Sequence, residues 1–341
     1  MYIIVGRSNY DLGNKIVKLL NENGFGQNLS VIINNFANTE INVELKESVR
    51  GQDVCIIETG SKFGENSIND SLIETLILID ACKRSSAKSI TIIMPCFPYA
   101  RSDKKDHRGG INSKLVCDIL TTAGATRIVA VDLHSSQIQG FANIPFDNLY
   151  AIKDISQYLI NNIFKVYGKQ NCILVSPDAG GIKRIKAYSE LLDMNNVILN
   201  KFRDYSTNNK IDKSMLIGEP HMIENKIAIM IDDMIDTAGT MIKGAEELLK
   251  YGAKSVILIA THGILSNPAI EKINNTDYIS HVIVTNSIDQ TENVKLTPKI
   301  NVVDISHLIA TIIQYISTGG SISSMFDMNY MKSMMPLLEN N

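Results

Sequence analysis

The sequence predicts an α/β protein of two tandem domains, each a mainly parallel sheet flanked by helices. Three observations predict it. Short β-branched runs recur, nearly all apolar rather than alternating, as strands buried on both faces of a parallel sheet read. Helical stretches separate them, so strand, helix and strand follow one another as right-handed crossover units. One segment also recurs: A-G-A-T-R-I-V-A-V-D-L-H (123–134) is similar to Y-G-A-K-S-V-I-L-I-A-T-H (251–262), at an offset of 128 residues from His134 to His262. Any α/β chain repeats a Gly-Ala turn before a strand, but a histidine closing both copies favours duplication.

Taken in order, the expected strands are I-I-V (3–5), V-C-I-I (54–57), I-T-I-I-M (90–94), I-V-A-V (128–131), I-L-V (173–175), K-I-A-I-M-I (226–231), V-I-L-I (256–259) and H-V-I-V (281–284). Each is short and rich in Ile and Val, whose branched side chains suit a pleated sheet. The expected helices are 72–83, 114–121, 154–162 and 241–251, the last stopping near Gly252, a residue suited to a helix end. At 341 residues the chain is long enough for about two domains. The expected division is 1–149, 150–330 and a tail, 331–341.

Composition excludes several classes. Lys and Arg number 33 against 36 Asp and Glu, a formal charge of −3, so no global basic field draws nucleic acid or an anionic membrane; any anion site is local. The five cysteines, Cys55, Cys82, Cys96, Cys117 and Cys172, contain no C-x-x-C pair and argue against a disulfide framework or a zinc site. The apolar N-terminal stretch is short and broken by Arg7, unlike a signal peptide, and no run approaches the ~20 apolar residues of a membrane span. The expectation is a cytoplasmic protein without nucleic-acid or membrane partners.

The strongest chemical signal is K-I-A-I-M-I-D-D-M-I-D-T-A-G-T-M-I-K-G (226–244). An apolar strand ends in Asp232 and Asp233, and a short loop, Asp236, Thr237, Ala238, Gly239 and Thr240, leads into an amphipathic helix. Ligands of open α/β sheets bind beyond the carboxyl ends of strands. Loop amides and a helix N-terminus attract a phosphate, and small residues let the backbone approach it. The paired carboxylates suit vicinal hydroxyls or a cation. Together they form a receptor for a sugar phosphate; taken one at a time, Asp and Thr are also ordinary helix caps.

I-D-D-M-I-D-T-A-G-T resembles the phosphoribosyl diphosphate loop shared by type I phosphoribosyltransferases and ribose-phosphate diphosphokinases. P-C-F-P-Y-A-R-S-D-K-K-D (95–106), V-D-L-H-S-S-Q-I-Q-G-F (131–141), V-S-P-D-A-G-G-I-K-R (175–184), A-T-H-G-I-L-S (260–266), F-A-N-T-E (36–40) and E-S-V-R-G (47–51) resemble the diphosphokinases, in that family's order and over about residues 1–330. The resemblance is closest to their eukaryotic-type, phosphate-regulated class. It implies two tandem type I phosphoribosyltransferase-like domains, the first serving ATP and subunit contacts and the second ribose 5-phosphate. It implies transfer of the diphosphoryl group of MgATP to the 1-hydroxyl of ribose 5-phosphate, giving 5-phospho-ribose 1-diphosphate and AMP for nucleotide biosynthesis.

The remaining site residues follow from their own chemistry and then from this resemblance. Arg101, Lys104, Lys105 and Arg108 make a cationic loop suited to polyphosphate, or simply a solvated one; the resemblance assigns Arg101, Ser102 and Asp103 to ATP, although the family usually carries Gln where Ser102 stands. Phe36 alone reads as core, yet the resemblance implies that Phe36, Asn38 and Glu40 hold adenine and ribose of an ATP bound mainly by a neighbouring subunit. A homo-oligomer is therefore implied, dimers assembling to a hexamer. His134 at a strand end is either a buried structural residue or a ligand. The resemblance makes His134 and Asp178 the Mg²⁺ ligands, with Asp132 a weaker candidate; His134 also belongs to the ATP site and Asp178 to the ribose 5-phosphate site.

Lys201 and Arg203 open a polar stretch, 201–210, expected as a loop, and are implied to close over the transferring phosphoryl group. Ser48 and Arg50 match the allosteric phosphate and ADP site. The 106–114 segment departs from the family, replacing Arg-Ala-Pro by Gly109-Gly110 and running one residue short. The Met-rich segment 325–336 reads as a frayed tail in preference to a subunit contact. Two rival readings stand: a non-catalytic synthetase-associated regulatory subunit, which need not keep Lys201, Arg203, His134 and Asp178, and a phosphoribosyltransferase, which leaves the ATP motifs unexplained.

Overall fold

The computed structural model of the chain describes residues 1–203 and 212–335. They divide into two units: residues 1–150, 286–289 and 305–322, and residues 151–203, 212–285, 290–304 and 323–335.

The first unit runs β1 (Tyr2–Val5), α1 (Tyr10–Glu22), β2 (Gln27–Asn28), β3 (Val31–Asn35), β4 (Ile41–Leu45), β5 (Asp53–Ile57), α2 (Ile68–Arg84), β6 (Ser89–Met94), α3 (Asn112–Ala123), β7 (Arg127–Val131) and β8 (Phe146–Leu149). Six strands form a parallel sheet in the order β2-β1-β5-β6-β7-β8, and β3 and β4 pair separately as an antiparallel hairpin. The central strands are apolar and buried on both faces, as the unalternating sequence requires. Helix α2 starts where Ser67 and Asp70 bond each other's backbone, a capping box satisfying two otherwise orphaned N–H groups.

In the second unit, α4 (Ile152–Tyr158) continues through a π-helical turn, Leu159–Phe164, into α5 (Lys165–Tyr167). Then come β9 (Cys172–Ser176), α6 (Ile182–Leu192), β10 (Asn196–Arg203), β11 (Asp212–Ile217), β12 (Ile227–Ile235), α7 (Gly239–Lys250), β13 (Ser255–Gly263), α8 (Ala269–Asn274), β14 (Ile279–Thr285), α9 (Thr291–Leu296) and β15 (Ile300–Val303). The seven-stranded sheet has the order β11-β10-β9-β12-β13-β14-β15 and is parallel except for the β10–β11 pair. A short α11 (Met328–Ser333) packs on α6.

All eight runs expected as strands are strands. The recurrent segments fall on β7 and β13, each lying between the strand before it and the strand after it in sequence. Their histidines are not equivalent, however. Asp132 takes a left-handed conformation, φ 43°, and ends β7 early, so His134 lies beyond the strand and is exposed. β13 instead runs on to Gly263 beside an equally prolonged β12, and His262 pairs with Met234 inside the sheet, 2% exposed.

Two more expectations change. Residues 286–289 and 305–322, expected within the second domain, complete the first unit. Helix α10 (Ser306–Thr318) packs on α1, Asn9 donates to the Asn286 carbonyl at 2.9 Å, and Thr59 donates to the Ser287 carbonyl at 2.8 Å. The Met-rich segment is not frayed over its described part: Asp327 caps α11, whose Met331 is buried. The five cysteines are free and buried. Among the described residues no helix is long and apolar enough to cross a membrane.

Candidate active site

The second unit builds its site on β12 and the turn into α7. Asp232 and Asp233 lie within β12 rather than past its end, with Asp232 opposite Ala260 of β13. Successive side chains of a strand point to opposite faces, yet both carboxylates meet one cation. Arg184 of α6 places Nη1 2.8 Å from Asp232 Oδ1 and Nη2 3.5 Å from Asp233 Oδ1. The Asp233 amide also donates to Asp232 Oδ1 at 2.9 Å. Burial, and after it the Asp233 charge, push the Asp232 carboxyl up to about 7, against the opposing pull of Arg184. Two acidic groups held this close do not ionise independently.

The turn after β12 carries the loop that the sequence singles out for a phosphate. Ala238 is left-handed, φ 59° and ψ −7°, and caps the twelve-residue α7, which opens on Gly239. A left-handed L-residue costs roughly 1–2 kcal/mol, and such strain gathers where backbone amides must face a ligand. Ala238 is buried, while Thr237 and Thr240 are exposed at the mouth of the turn. Lys272 of α8 reaches over this turn and donates to the Thr237 carbonyl at 3.3 Å.

Asp178 follows β9, and its Oδ1 accepts from the Gly181 amide at 3.1 Å, capping the turn into α6. Arg184 follows in the first turn of α6, so Asp178 and the Asp232–Asp233 pair depend on one β9–α6 connection. Lys201 and Arg203 are in β10, opposite Ser214 and Asp212 of β11. They end a strand and do not begin the loop. The rest of the stretch expected as a loop, 204–210, lies outside the described residues.

In the first unit Phe36, Asn38 and Glu40 sit on the β3–β4 connection. Phe36 is 56% exposed, which removes its reading as plain core. Its amide donates to the Glu40 carbonyl at 2.8 Å, and Asn38 Oδ1 accepts from the Glu40 amide at 3.2 Å. This turn presents an uncovered aromatic ring. Arg101, Ser102 and Asp103 follow Tyr99, another left-handed residue, φ 58°. The Ser102 hydroxyl accepts from the Asn112 amide at 3.2 Å, and its carbonyl accepts from Ser113 Oγ at 2.9 Å. Ser102 thus ties the cationic loop to the start of α3. His134 and Asp132 lie just past β7. Ser48 and Arg50 are exposed on either side of buried Val49. Among the described residues no three His, Cys, Asp or Glu side chains cluster as a metal site.

Sequence reasoning missed Arg184, although it closes the V-S-P-D-A-G-G-I-K-R motif. One signal pointed to it: two adjacent buried carboxylates require a cation. Lys272 had none, since nothing in the sequence tells which residue of α8 faces the α7 turn.

An open sheet, a paired-carboxylate strand and a strained turn heading a helix define an α/β protein with a candidate anion-binding site. The comparisons narrow this. The N-terminal domain of ribose phosphate pyrophosphokinase matches residues 1–124, and the phosphoribosyl synthetase-associated domain matches residues 207–327. The crystal structure of phosphoribosylpyrophosphate synthetase from Mycobacterium smegmatis is similar with 37% identity and a TM-score of 0.82, covering 94% of this chain and 99% of that chain. A purine phosphoribosyltransferase from Pyrococcus horikoshii Ot3 is 19% identical over 34% of this chain and 77% of its own, with a TM-score of 0.25. The chain belongs to the phosphoribosylpyrophosphate synthetases, the ribose phosphate pyrophosphokinase family, and has their fold of two phosphoribosyltransferase-like domains.

Proposed function

We infer that the chain is a ribose-phosphate diphosphokinase, transferring the diphosphoryl group of MgATP to the 1-hydroxyl of ribose 5-phosphate and releasing AMP. The observation that carries the residue assignment is the β12–α7 unit, where a cation-bridged carboxylate pair stands a few residues before a strained turn heading a helix. Asp232 and Asp233 accept hydrogen bonds from the ribose hydroxyls. The amides of 236–240, with Thr237 and Thr240, hold the 5-phosphate of the sugar at the positive end of α7. This fixes the sugar at two ends and orients its 1-hydroxyl, which contributes more to phosphoryl transfer than a strong base does.

Phe36 offers a stacking face to adenine, with Asn38 and Glu40 near the nucleoside. Arg101, Ser102 and Asp103 contact ATP. Lys201 and Arg203 neutralise charge at the transferring phosphorus. Exposed Phe36 suits an ATP shared with a neighbouring subunit, and we assign the chain to a homo-oligomer working in the cytoplasm. Ser48 and Arg50 are assigned to a regulatory anion site. Division of labour follows the units, with ATP on the first and ribose 5-phosphate on the second.

Mg²⁺ fits the donors present. Asp178 spends Oδ1 on the Gly181 amide and is only partly buried, and one or two hard donors suffice for an ion that keeps its waters and leans on substrate phosphates. By the family resemblance His134 and Asp178 are assigned to Mg²⁺, with Asp132 a weaker candidate. Bound there, Mg²⁺ offsets the negative charge of the nucleotide phosphates. The regulatory-subunit reading is not favoured, because it leaves the cation-bridged carboxylates and the strained α7 turn without a use.

The test is AMP formation from ATP by the assembled protein, with Mg²⁺ and phosphate present. AMP that appears only when ribose 5-phosphate is added supports the assignment; none under those conditions refutes it.

A further inference from the structure

We infer that Lys272 of α8 is a binding residue for the phosphate monoester of the sugar substrate, a cation brought to the α7 turn from outside the motif. The inference rests on the ribose 5-phosphate reading above and names a further residue of that site.

The placement of Lys272 is set by the core. Ala269 and Ile273 are four residues apart on one face of α8 and are both fully buried, in the same apolar cluster as Ala238 and Met241 of the α7 turn. Residues four apart share a helix face, so burying that pair fixes how α8 is rotated against α7. The far end of α8 is also held: Lys299 Nζ donates to the carbonyls of Ile273 at 2.9 Å and Thr276 at 2.8 Å. Lys272 therefore stands on a backbone with little freedom to turn.

Its ammonium stands over the turn. Nζ donates to the Thr237 carbonyl at 3.3 Å, and a Cβ added at Gly239 would lie 3.7 Å from it. The charge thus sits beside the first residue of α7, on the side where glycine leaves room. That room is also where an anion accepting the first amides of α7 would lie. Among the described residues no carboxylate forms an ion pair with Lys272. Lysine is a compact point charge on a flexible stem, able to swing from a carbonyl to a phosphate oxygen.

The alternative is a structural hydrogen bond tying α8 to the turn, and the two differ in what they predict. A phosphate ligand acts on the affinity for the sugar phosphate and needs a positive charge; a structural tie acts on stability and needs only a donor. The experiment compares wild type with Lys272→Gln, which keeps a donor, and Lys272→Arg, which keeps the charge. Binding of radiolabelled ribose 5-phosphate is measured by equilibrium dialysis, and KM and kcat by AMP release. Expected for Lys272→Gln is a 10- to 100-fold rise in Kd and KM for ribose 5-phosphate. KM for ATP and kcat stay within about threefold and the melting temperature is unchanged, while Lys272→Arg stays within about threefold throughout. If wild type binds ribose 5-phosphate and Lys272→Gln binds it equally well, the lysine assignment is wrong and the site survives. A Lys272→Gln that melts earlier, with kcat lowered and both KM values raised alike, also overturns it. A wild type that neither binds ribose 5-phosphate nor forms AMP overturns the site and the lysine together.

Discussion

Replacing Arg184 by Gln removes the cation that faces both Asp232 and Asp233. Its two nitrogens stand 2.8 Å and 3.5 Å from their oxygens. Unit charges about 4 Å apart at an effective dielectric near 20 interact by about 4 kcal/mol. The Arg184 and Asp232 side chains keep 22% and 21% of their exposure, so screening reduces that figure. Hydrogen bonds to charged groups are worth about 1.5–3 kcal/mol, which corresponds to about one to two pH units at 1.36 kcal/mol each.

Asp232 already titrates at about 7, raised first by burial and then by Asp233. Hydroxyls are accepted by the ionised carboxylate, so activity falls as pH drops through 7. Loss of Arg184 moves this acidic limb up by about one to two pH units. Near pH 7.5 the ionised fraction then drops by about three- to twenty-five-fold, and raising the pH recovers it. The assay is the pH profile of kcat/KM for ribose 5-phosphate, which reports groups of the free enzyme, in wild type, Arg184→Gln and Arg184→Lys. Arg184→Lys should shift the limb less. An Arg184→Gln profile lowered equally at every pH, or with its limb in the wild-type position, refutes the reasoning.

Asp232→Asn should abolish ribose 5-phosphate-dependent AMP release and yet raise the melting temperature at pH 8. A folded-state value above the ordinary 3.8 supplies stability fully at low pH, and that stability is lost as pH rises through about 7, so the gain should vanish by pH 4. Arg7→Met should destabilise the first unit by about 3–5 kcal/mol, since it strands Glu74, whose Oε2 lies 2.6 Å from Arg7 Nε and whose side chain is 3% exposed; denaturant unfolding reads this. Its neighbour Glu58 is held far above the usual carboxylate range by burial and by Glu74. Phe36→Ala should leave stability within about 0.5 kcal/mol, as for an exposed side chain, while raising KM for ATP; an unchanged KM would remove Phe36 from the ATP site.

Much of the fold was legible because parallel strands are buried on both faces and so carry no polar alternation. What escaped has physical reasons. The β3–β4 hairpin is partly exposed and its pattern mixed, V-I-I-N-N against I-N-V-E-L. Helix α10 looked like part of the second domain because periodicity reports that a face is apolar and says nothing of which partner covers it. The two repeat histidines looked alike until the backbone parted them, at the left-handed Asp132 in one copy and a prolonged strand in the other.

The sequence by itself pointed to the chemistry of the site: two adjacent acids, two threonines and small residues between a strand and a helix suit a sugar phosphate, and types and spacing are local. Only the tertiary structure decided what answers those groups. Arg184 arrives from α6 to offset the buried carboxylates, and Lys272 arrives from α8 to stand over the turn. Both lie tens of residues from the motif, and the packing of the core sets the rotation of the helices that deliver them.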